Sequence, residues 1–153
     1  MNEPRPIVGK WIEDKAWGRT RCLYVARTHT TFELEVKAGT YCSWHYHRHR
    51  SNEFVTLSAT VDVVSLLGPE TVTWRLVPGA LGNFTEVSPL VVHQFRVIES
   101  GTLLERYWLR GRGEIDLGDI SRLTEGGELR EGETWDDVTR DLFLKSLSKG
   151  SKP

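Results

Sequence analysis

Residues Gly39–Glu53 read GTYCSWHYHRHRSNE and are the most informative stretch of the chain, with histidines at alternate positions. Successive side chains of a β-strand point to opposite faces, so His45 and His47 predict two imidazoles on one face of an extended strand. Imidazole binds zinc, copper, iron and nickel, and the pair therefore predicts a metal site. His93, much later in the chain, is the expected third ligand, whereas His49 is assigned to a loop or an outer surface.

The composition excludes several classes of protein. The chain has 153 residues, of which 27% are charged, and a formal net charge of −1. This balance argues against a disordered chain, a polybasic nucleic-acid-binding protein and an acidic tail protein, and the length suits one domain. The most apolar runs, Val61–Leu67 and Val87–Val92, are shorter than the roughly 18 residues that a membrane span needs. Neither a nucleic acid nor a membrane is an expected partner.

The first residues and the two cysteines indicate the cellular compartment in which the protein is expected. Residues 1–6 contain no apolar core of the kind that a signal peptide has. The two cysteines, Cys22 and Cys42, cannot form a disulfide framework. A reducing, cytoplasmic location is therefore expected.

Alternation of apolar and polar residues, interrupted by Gly and Pro, predicts strands rather than helices. It is clearest in Thr31–Lys37, where Phe32, Leu34 and Val36 alternate with charged residues. The other predicted strands are Cys22–Arg27, Phe54–Leu57, Val61–Leu66, Thr71–Val77, His93–Ile98 and Leu103–Leu109. Many short strands separated by turns predict an antiparallel sandwich or barrel.

Tryptophans at strand positions are predicted to lie in the core, or beside the barrel mouth, where an aromatic ring stacks on a sugar. They are Trp44, Trp74 and Trp108. In the strand Thr71–Val77, Trp74 shares its face with Val72 and Leu76.

The last thirty residues differ in character from the strand-rich part. Glu125–Gly132 is rich in Gly and Glu and predicts a loop, after which Thr134 caps a helix with Asp136 and Asp137 in its first turn. The apolar stripe of this helix, which packs on the barrel wall or on a partner subunit, consists of Trp135, Val138 and Leu142, with Phe143 and Leu147 nearby. The expected organisation is a barrel over 1–124, a loop and helix over 125–147 and a frayed tail over 148–153.

The histidine segment resembles the first cupin motif, G-x5-H-x-H-x4-E-x6-G. With Gly39 in the first position, His45 and His47 are in register, while Asn52 stands at the carboxylate position and Ala59 at the last glycine. On this resemblance the metal ligands are His45, His47, Asn52 and His93. The second motif, G-x5-P-x-G-x2-H-x3-N, can be laid over Gly82 and His93, and departs from its pattern at Ser88, Leu90 and Val97.

Parts of the chain, including the histidine segment itself, resemble cupins of the mannose-6-phosphate isomerase type, the kind fused to GDP-mannose pyrophosphorylases. Lys15–Gly18 resembles their K-P-W-G, and Ser43–Ser51 is similar to their S-L-Q-Y-H-H-H-R-A. Glu105 with Asp119–Arg122 is similar to their I-E-V-Q…D-D-I-x-R ending. The resemblance covers roughly seven-tenths of the chain. It implies an all-β jelly-roll barrel, one divalent transition metal (Zn, Mn, Fe or Ni) and aldose–ketose chemistry on a sugar phosphate or sugar nucleotide.

The carboxylate position leaves two arrangements open. If Asn52 faces the barrel interior, Glu53 faces outward, and the site consists of three histidines with at most an amide oxygen. If a β-bulge intervenes, Glu53 is delivered to the site instead. The intact spacing from Gly39 to Ala59 favours Asn52 inside.

Candidate roles follow for the charged residues. Glu53 or Glu105 would move a proton between the two substrate carbons, although Glu105 could equally be an outward charge. Arg50 and Arg122 would hold a phosphate, or are solvated loop cations.

Three functions remain open. The first is an isomerase in which the metal stabilises an enediolate. The second is an iron-dependent dioxygenase with three histidine ligands. The third is a non-catalytic cupin that binds a sugar or serves in an assembly. A small-molecule substrate and a homodimer are expected.

Overall fold

The computed structural model describes residues 6–79 and 81–149, the last four of them by backbone alone. It contains thirteen strands among the described residues. They are β1 (Trp11–Lys15), β2 (Gly18–Val25), β3 (His29–Val36), β4 (Thr40–Tyr41), β5 (His45–Tyr46), β6 (Arg50–Thr56), β7 (Thr60–Leu67), β8 (Glu70–Leu76), β9 (Phe84–Val87), β10 (His93–Glu99), β11 (Gly101–Leu109), β12 (Ser121–Arg122) and β13 (Gly127–Glu128). One helix, α1 (Trp135–Lys149), follows them.

The strands form two antiparallel sheets. The first has the order β1-β2-β3-β11-β6-β9. In the second, β10 pairs with β7 and with the short strands β4 and β5, and β8, β12 and β13 extend the sheet. The all-β jelly-roll barrel predicted from the sequence is confirmed.

The barrel core lies between the facing sides of the two sheets. The alternation predicted in β3 is present, since Leu34 and Val36 are buried and Phe32 packs against the same cluster. From the second sheet, Val61 and Val63 of β7 are fully buried in it. Burial of such side chains contributes about 1.5–3 kcal/mol each to stability.

The tryptophan prediction holds for one of three residues. Trp44 is fully buried. Trp108 lies on the outer face of the first sheet, where its ring stacks on His29. The prediction of a buried Trp74 is wrong, because 59% of it is exposed. It lies on β8, which pairs only with β7 among the described strands, so its side chain has a neighbouring strand on one side alone.

Helix α1 docks on the outer side of the second sheet. Thr134 and Asp137 exchange hydrogen bonds at its start, which satisfies backbone donors of the first turn. Val138 and Leu142 are buried, and Leu142 belongs to a cluster with Trp44. The predicted position of Leu147 on this face concerns a side chain outside the described residues, and so does the predicted frayed tail beyond residue 149. The helix itself continues to Lys149.

The first two strands form a hairpin that brings the N-terminal segment to the barrel opening. Gly18 begins β2 with φ +142°, and a Cβ there would lie 2.0 Å from the carbonyl oxygen of Glu35. Only glycine fits this approach, which is the physical reason for the glycine of the Lys15–Gly18 segment.

Candidate metal centre

Three histidines from two strand regions meet inside the barrel. His45 of β5 pairs with His93 at the start of β10, and His47 follows β5 directly. All three are buried, with 5%, 1% and 2% exposure for His45, His93 and His47. One ligand nitrogen from each lies within 4.8 Å of the other two. The predicted convergence of the distant His93 on the pair is therefore present.

Each ring is oriented by a hydrogen bond from Nδ1 to a backbone carbonyl. The distances are 2.7 Å from His45 to Ser43, 2.7 Å from His47 to Asp119 and 2.9 Å from His93 to Val91. A carbonyl oxygen only accepts, so each Nδ1 carries the proton and each Nε2 keeps its lone pair. A carbonyl partner of this kind is what fixes the tautomer of a metal-binding histidine.

The three imidazoles are neutral at pH 7. Burial lowers the pKa of His45 well below its usual value, and the neighbouring His93 and His47 lower it further. Burial, with Arg50 nearby, lowers the pKa of His47 to about 3 and that of His93 to about 4. Metal binding needs deprotonated imidazole, so the cluster is prepared to bind at neutral pH without releasing a proton from these rings.

The polar atoms of the cluster fit a cation. His47 Nε2 and Asn52 Oδ1 are buried and have no hydrogen-bond partner among the described residues. Leaving such acceptors unpaired is costly, and a metal ion would satisfy them. Three neutral nitrogen donors suit a divalent transition metal, with positions left for water or substrate.

Asn52, not Glu53, faces the cluster. β6 pairs with β11 in continuous register, and Asn52 is fully buried, with Nδ2 3.2 Å from His93 Nε2. Glu53 lies on the opposite, outer face, where Arg106 Nη1 donates to it at 2.9 Å. The arrangement with a bulge that turns Glu53 inward is not present, so Glu53 is not in contact with the histidines.

A second set of polar side chains, formed by Glu105, Tyr107 and Arg50, adjoins Asn52. Tyr107 donates a short hydrogen bond to Oε1 of Glu105, and the guanidinium of Arg50 lies 3.9 Å from the centroid of the Tyr107 ring. Burial raises the pKa of Glu105 above its ordinary value, although hydrogen bonds from Tyr107 and Asn52 oppose the shift. Glu105 lines the cavity that also reaches His45, so it faces inward and the outward alternative does not apply.

Arg50 is almost fully buried and held from several sides. Its Nη1 donates to the carbonyl of Asp116 at 2.9 Å, and its guanidinium lies over the ring of Tyr107. It is therefore a fixed cation beside the cluster rather than a solvated loop residue.

An open cavity of about 860 Å³ reaches the cluster. The buried residues His45, Arg50 and Tyr107 and the half-buried Glu105 line its inner part. Charged side chains of both signs line its more exposed part, namely the cations Lys10, Lys15 and Arg122 and the anions Asp14 and Glu125. Apolar side chains contribute further walls, among them Ile12, Trp17 and Phe32.

Several residues of the site were not identified from the sequence. Tyr107 shares a strand face with Glu105, so the two-residue period could have indicated it. Asp119 belongs to a segment that the resemblance singled out, yet no role was assigned to it. Lys10 carries no sequence signal, because its position depends on how the N-terminal hairpin closes over the opening.

The comparisons with known proteins show the fold. Neither a protein-family model nor a curated protein matches the chain. KdgF from Halomonas sp. is similar at 14% identity and TM-score 0.55, over 67% of this chain and 89% of that one. An RmlC-like cupin from Shewanella frigidimarina is similar at 16% identity and TM-score 0.56, over 71% of this chain and 94% of that one.

A longer protein is also similar. A variant of the Bacillus subtilis oxalate decarboxylase OxdC matches at 14% identity and TM-score 0.63, over 94% of this chain and 37% of that one. This chain therefore spans little more than a third of the OxdC chain.

No helix among the described residues is long and apolar enough to cross a membrane. The strand order, the buried histidines and these likenesses together give the conclusion that the chain has the cupin fold.

Proposed function

We propose that this protein is a metal-dependent isomerase that acts on a sugar phosphate or sugar nucleotide. The observation that carries the proposal is the convergence of three neutral histidines within 4.8 Å at the end of an open cavity. His45, His47 and His93 would hold one divalent transition metal (Zn, Mn, Fe or Ni), with Asn52 beside them. The bound metal would act as a Lewis acid that stabilises negative charge on substrate oxygen.

Glu105 is the proposed acid and base. It lines the cavity next to the cluster, and its raised pKa favours a carboxyl group that both takes up and returns a proton. The Tyr107 hydroxyl holds the carboxylate in one orientation. Glu53 is not proposed for this role, since it lies on the outer face against Arg106.

The cavity lining suits an anionic sugar derivative. At its exposed part three cations, Lys10, Lys15 and Arg122, outnumber the two carboxylates of Asp14 and Glu125, and a phosphate would lie against the cations. The rings of Trp17 and Phe32 offer apolar surface for the faces of a sugar. Holding the phosphate fixes the reacting carbons relative to Glu105, and this positioning lowers the barrier.

Metal analysis combined with activity assays tests the proposal. Wild-type protein purified without a histidine tag should contain about one transition-metal ion per chain and interconvert an aldose phosphate with its ketose phosphate, followed by NMR. The His45→Ala/His93→Ala double variant should lose both. His49→Ala is the matched control, because His49 is an exposed loop histidine two residues after His47, and it should keep both.

The alternative functions are distinguishable in the same samples. Oxygen uptake that depends on added iron, without isomerisation, would select a dioxygenase and overturn the isomerase proposal. Protein without metal, and with an unchanged melting temperature on adding Zn²⁺, Mn²⁺, Fe²⁺ or Ni²⁺, would select a non-catalytic binding or assembly protein.

We further propose that the protein forms a homodimer in the cytoplasm. The outermost strands β8 and β9 expose the large apolar side chains Trp74 and Phe84, each more than half exposed. Edge strands of this kind associate readily with a second copy. Sedimentation equilibrium should give twice the chain mass, and a concentration-independent monomer would contradict the proposal.

A further inference from the structure

We infer that Asp119 is a positioning residue that sets the orientation of His47 for metal binding. The inference rests on the proposed metal site, because it assigns a role within that site to a residue outside the ligand set. Three separate hydrogen bonds to the histidine segment converge on Asp119.

The first bond orients the imidazole itself. The backbone carbonyl of Asp119 accepts the Nδ1 proton of His47 at 2.7 Å. The corresponding carbonyls for His45 and His93 belong to Ser43 and Val91, each two residues earlier in the chain. Those two rings are thus oriented by residues that directly precede their own strands, whereas the partner of His47 lies 72 residues away. His47 is the ligand whose orientation depends on a distant segment.

The other two bonds hold the turn that follows His47. The carboxylate of Asp119 accepts from the backbone N–H of Arg48 through Oδ1 and from that of His49 through Oδ2, both at 2.9 Å. A carboxylate that accepts two backbone N–H groups is a strong, charge-assisted clamp. It fixes the chain direction directly after His47 and leaves His49 exposed, away from the cluster.

Strand pairing fixes Asp119 relative to the ligands. β12 begins two residues later and pairs with β5, with Ser121 opposite Tyr46 and Arg122 opposite His45. The carboxylate and the carbonyl of Asp119 therefore act on the histidine segment from the residues just before the neighbouring strand β12. Loss of the carboxylate would free the turn, and His47 could then rotate away from the Asp119 carbonyl.

Metal affinity of the full-length protein tests this role. Asp119→Ala should weaken Co²⁺ and Zn²⁺ binding by about 10–100-fold, the usual effect of removing an outer partner of a metal ligand. Asp119→Asn keeps one acceptor oxygen and should give a smaller loss. Asp116→Asn is the matched control, since the carboxylate of this exposed aspartate of the same loop accepts from the nearby Gly118 N–H and, among the described residues, bonds no part of the histidine segment, and the variant should bind metal as the wild type does.

Imidazole ¹⁵N NMR of the metal-free protein separates positioning from general destabilisation. In the Asp119 variants the His47 signals should show a mixed tautomer population, while those of His45 and His93 keep a protonated Nδ1. Equal affinity of the Asp119 and Asp116 variants would overturn the inference, as would equal disturbance of all three histidines. If Asp119→Ala does not fold, Asp119→Asn decides by the same criteria. Wild-type protein that binds no Co²⁺ or Zn²⁺ would instead overturn the metal site itself.

Discussion

The amide nitrogen of Asn52 lies 3.2 Å from Nε2 of His93, the ring atom that keeps its lone pair. In the metal-free protein this amide donates to the lone pair that a metal would need. Asn52 also stands where the first cupin motif places a carboxylate. A metal ion at this site would meet an amide group instead of a negative charge.

We therefore expect Asn52→Glu to change metal affinity and metal-free stability in opposite directions. The carboxylate removes the competing N–H donor and adds a negative charge beside the cation, so metal affinity should rise by about tenfold or more, which is about 1.4 kcal/mol. Without metal, a buried carboxylate next to Glu105 should lower the melting temperature. Chelator competition and thermal unfolding with and without Zn²⁺ measure both effects.

Asn83→Glu is the control for the added charge. Asn83 is partly buried before β9, where its side chain bonds the Thr56 carbonyl. This variant should leave metal affinity unchanged. Weaker metal binding by Asn52→Glu than by the wild type would show that the position does not face a cation.

Glu105→Gln should abolish most of the proposed isomerase activity while leaving the metal bound. Glutamine keeps an acceptor oxygen for the Tyr107 hydroxyl, but it cannot transfer a proton, and loss of a general base typically costs about 10²–10⁴-fold in rate. Turnover of a sugar phosphate and metal content per chain are measured on the same preparation.

Glu53→Gln provides the comparison from the neighbouring strand. Glu53 bonds Arg106 on the outer face of the sheet, so turnover should stay close to that of the wild type. If Glu53→Gln lowered turnover as much as Glu105→Gln does, Glu105 could not be assigned the proton transfer.

The alternation of side chains along a strand predicted the part of the site that lies on a single strand segment. His45 and His47 share a face because alternate residues of a strand do, and the same rule correctly placed Leu34 and Val36 in the core. The long-range partners could not be predicted in this way. Asp119 contacts His47 across 72 residues through the pairing of two-residue strands, which are too short to leave a periodic signal.

The sequence pattern also could not predict which side chains at the edges of the sheets are exposed. Trp74 alternates as a core residue would, yet it is 59% exposed. Its exposure follows from the position of β8 at the end of its sheet, and sheet order is a property of the whole topology. Alternation therefore predicts which face a side chain shares, but not how completely that face is covered.

The metal-free protein should lose stability as the pH falls from about 6.5 towards 3. The pKa values of His47 and His93 are lowered to about 3 and about 4, whereas an imidazole in the unfolded chain has a pKa near 6.5. Between these values the unfolded state binds more protons, so the free energy of unfolding decreases with falling pH. Above about pH 6.5 these groups contribute no pH dependence. Denaturant unfolding in EDTA at pH 7.5, 6 and 5 measures the effect.

In the upper part of this range the loss comes from the histidines, because carboxyl groups with ordinary pKa values change little between pH 6.5 and 5. Glu105, whose pKa burial raises, acts in the opposite direction, since its protonation favours the folded state as the pH falls. A His47→Gln/His93→Gln variant should show a flatter dependence there. Equal unfolding free energies of the wild type at pH 7.5 and 5 would contradict the neutral, buried state of the cluster.

Docking of α1 should contribute substantially to stability through Leu142. This side chain is 2% exposed and packs in the cluster that contains Trp44, the residue directly before His45. Leu142→Ala removes buried surface and leaves a cavity, and we expect a loss of about 2–5 kcal/mol in the free energy of unfolding. Leu144→Ala, on the exposed side of the same helix with 59% exposure, should change it by no more than about 0.5 kcal/mol. Denaturant unfolding of both variants checks the difference, and similar values for the two would mean that the helix does not remain docked in solution.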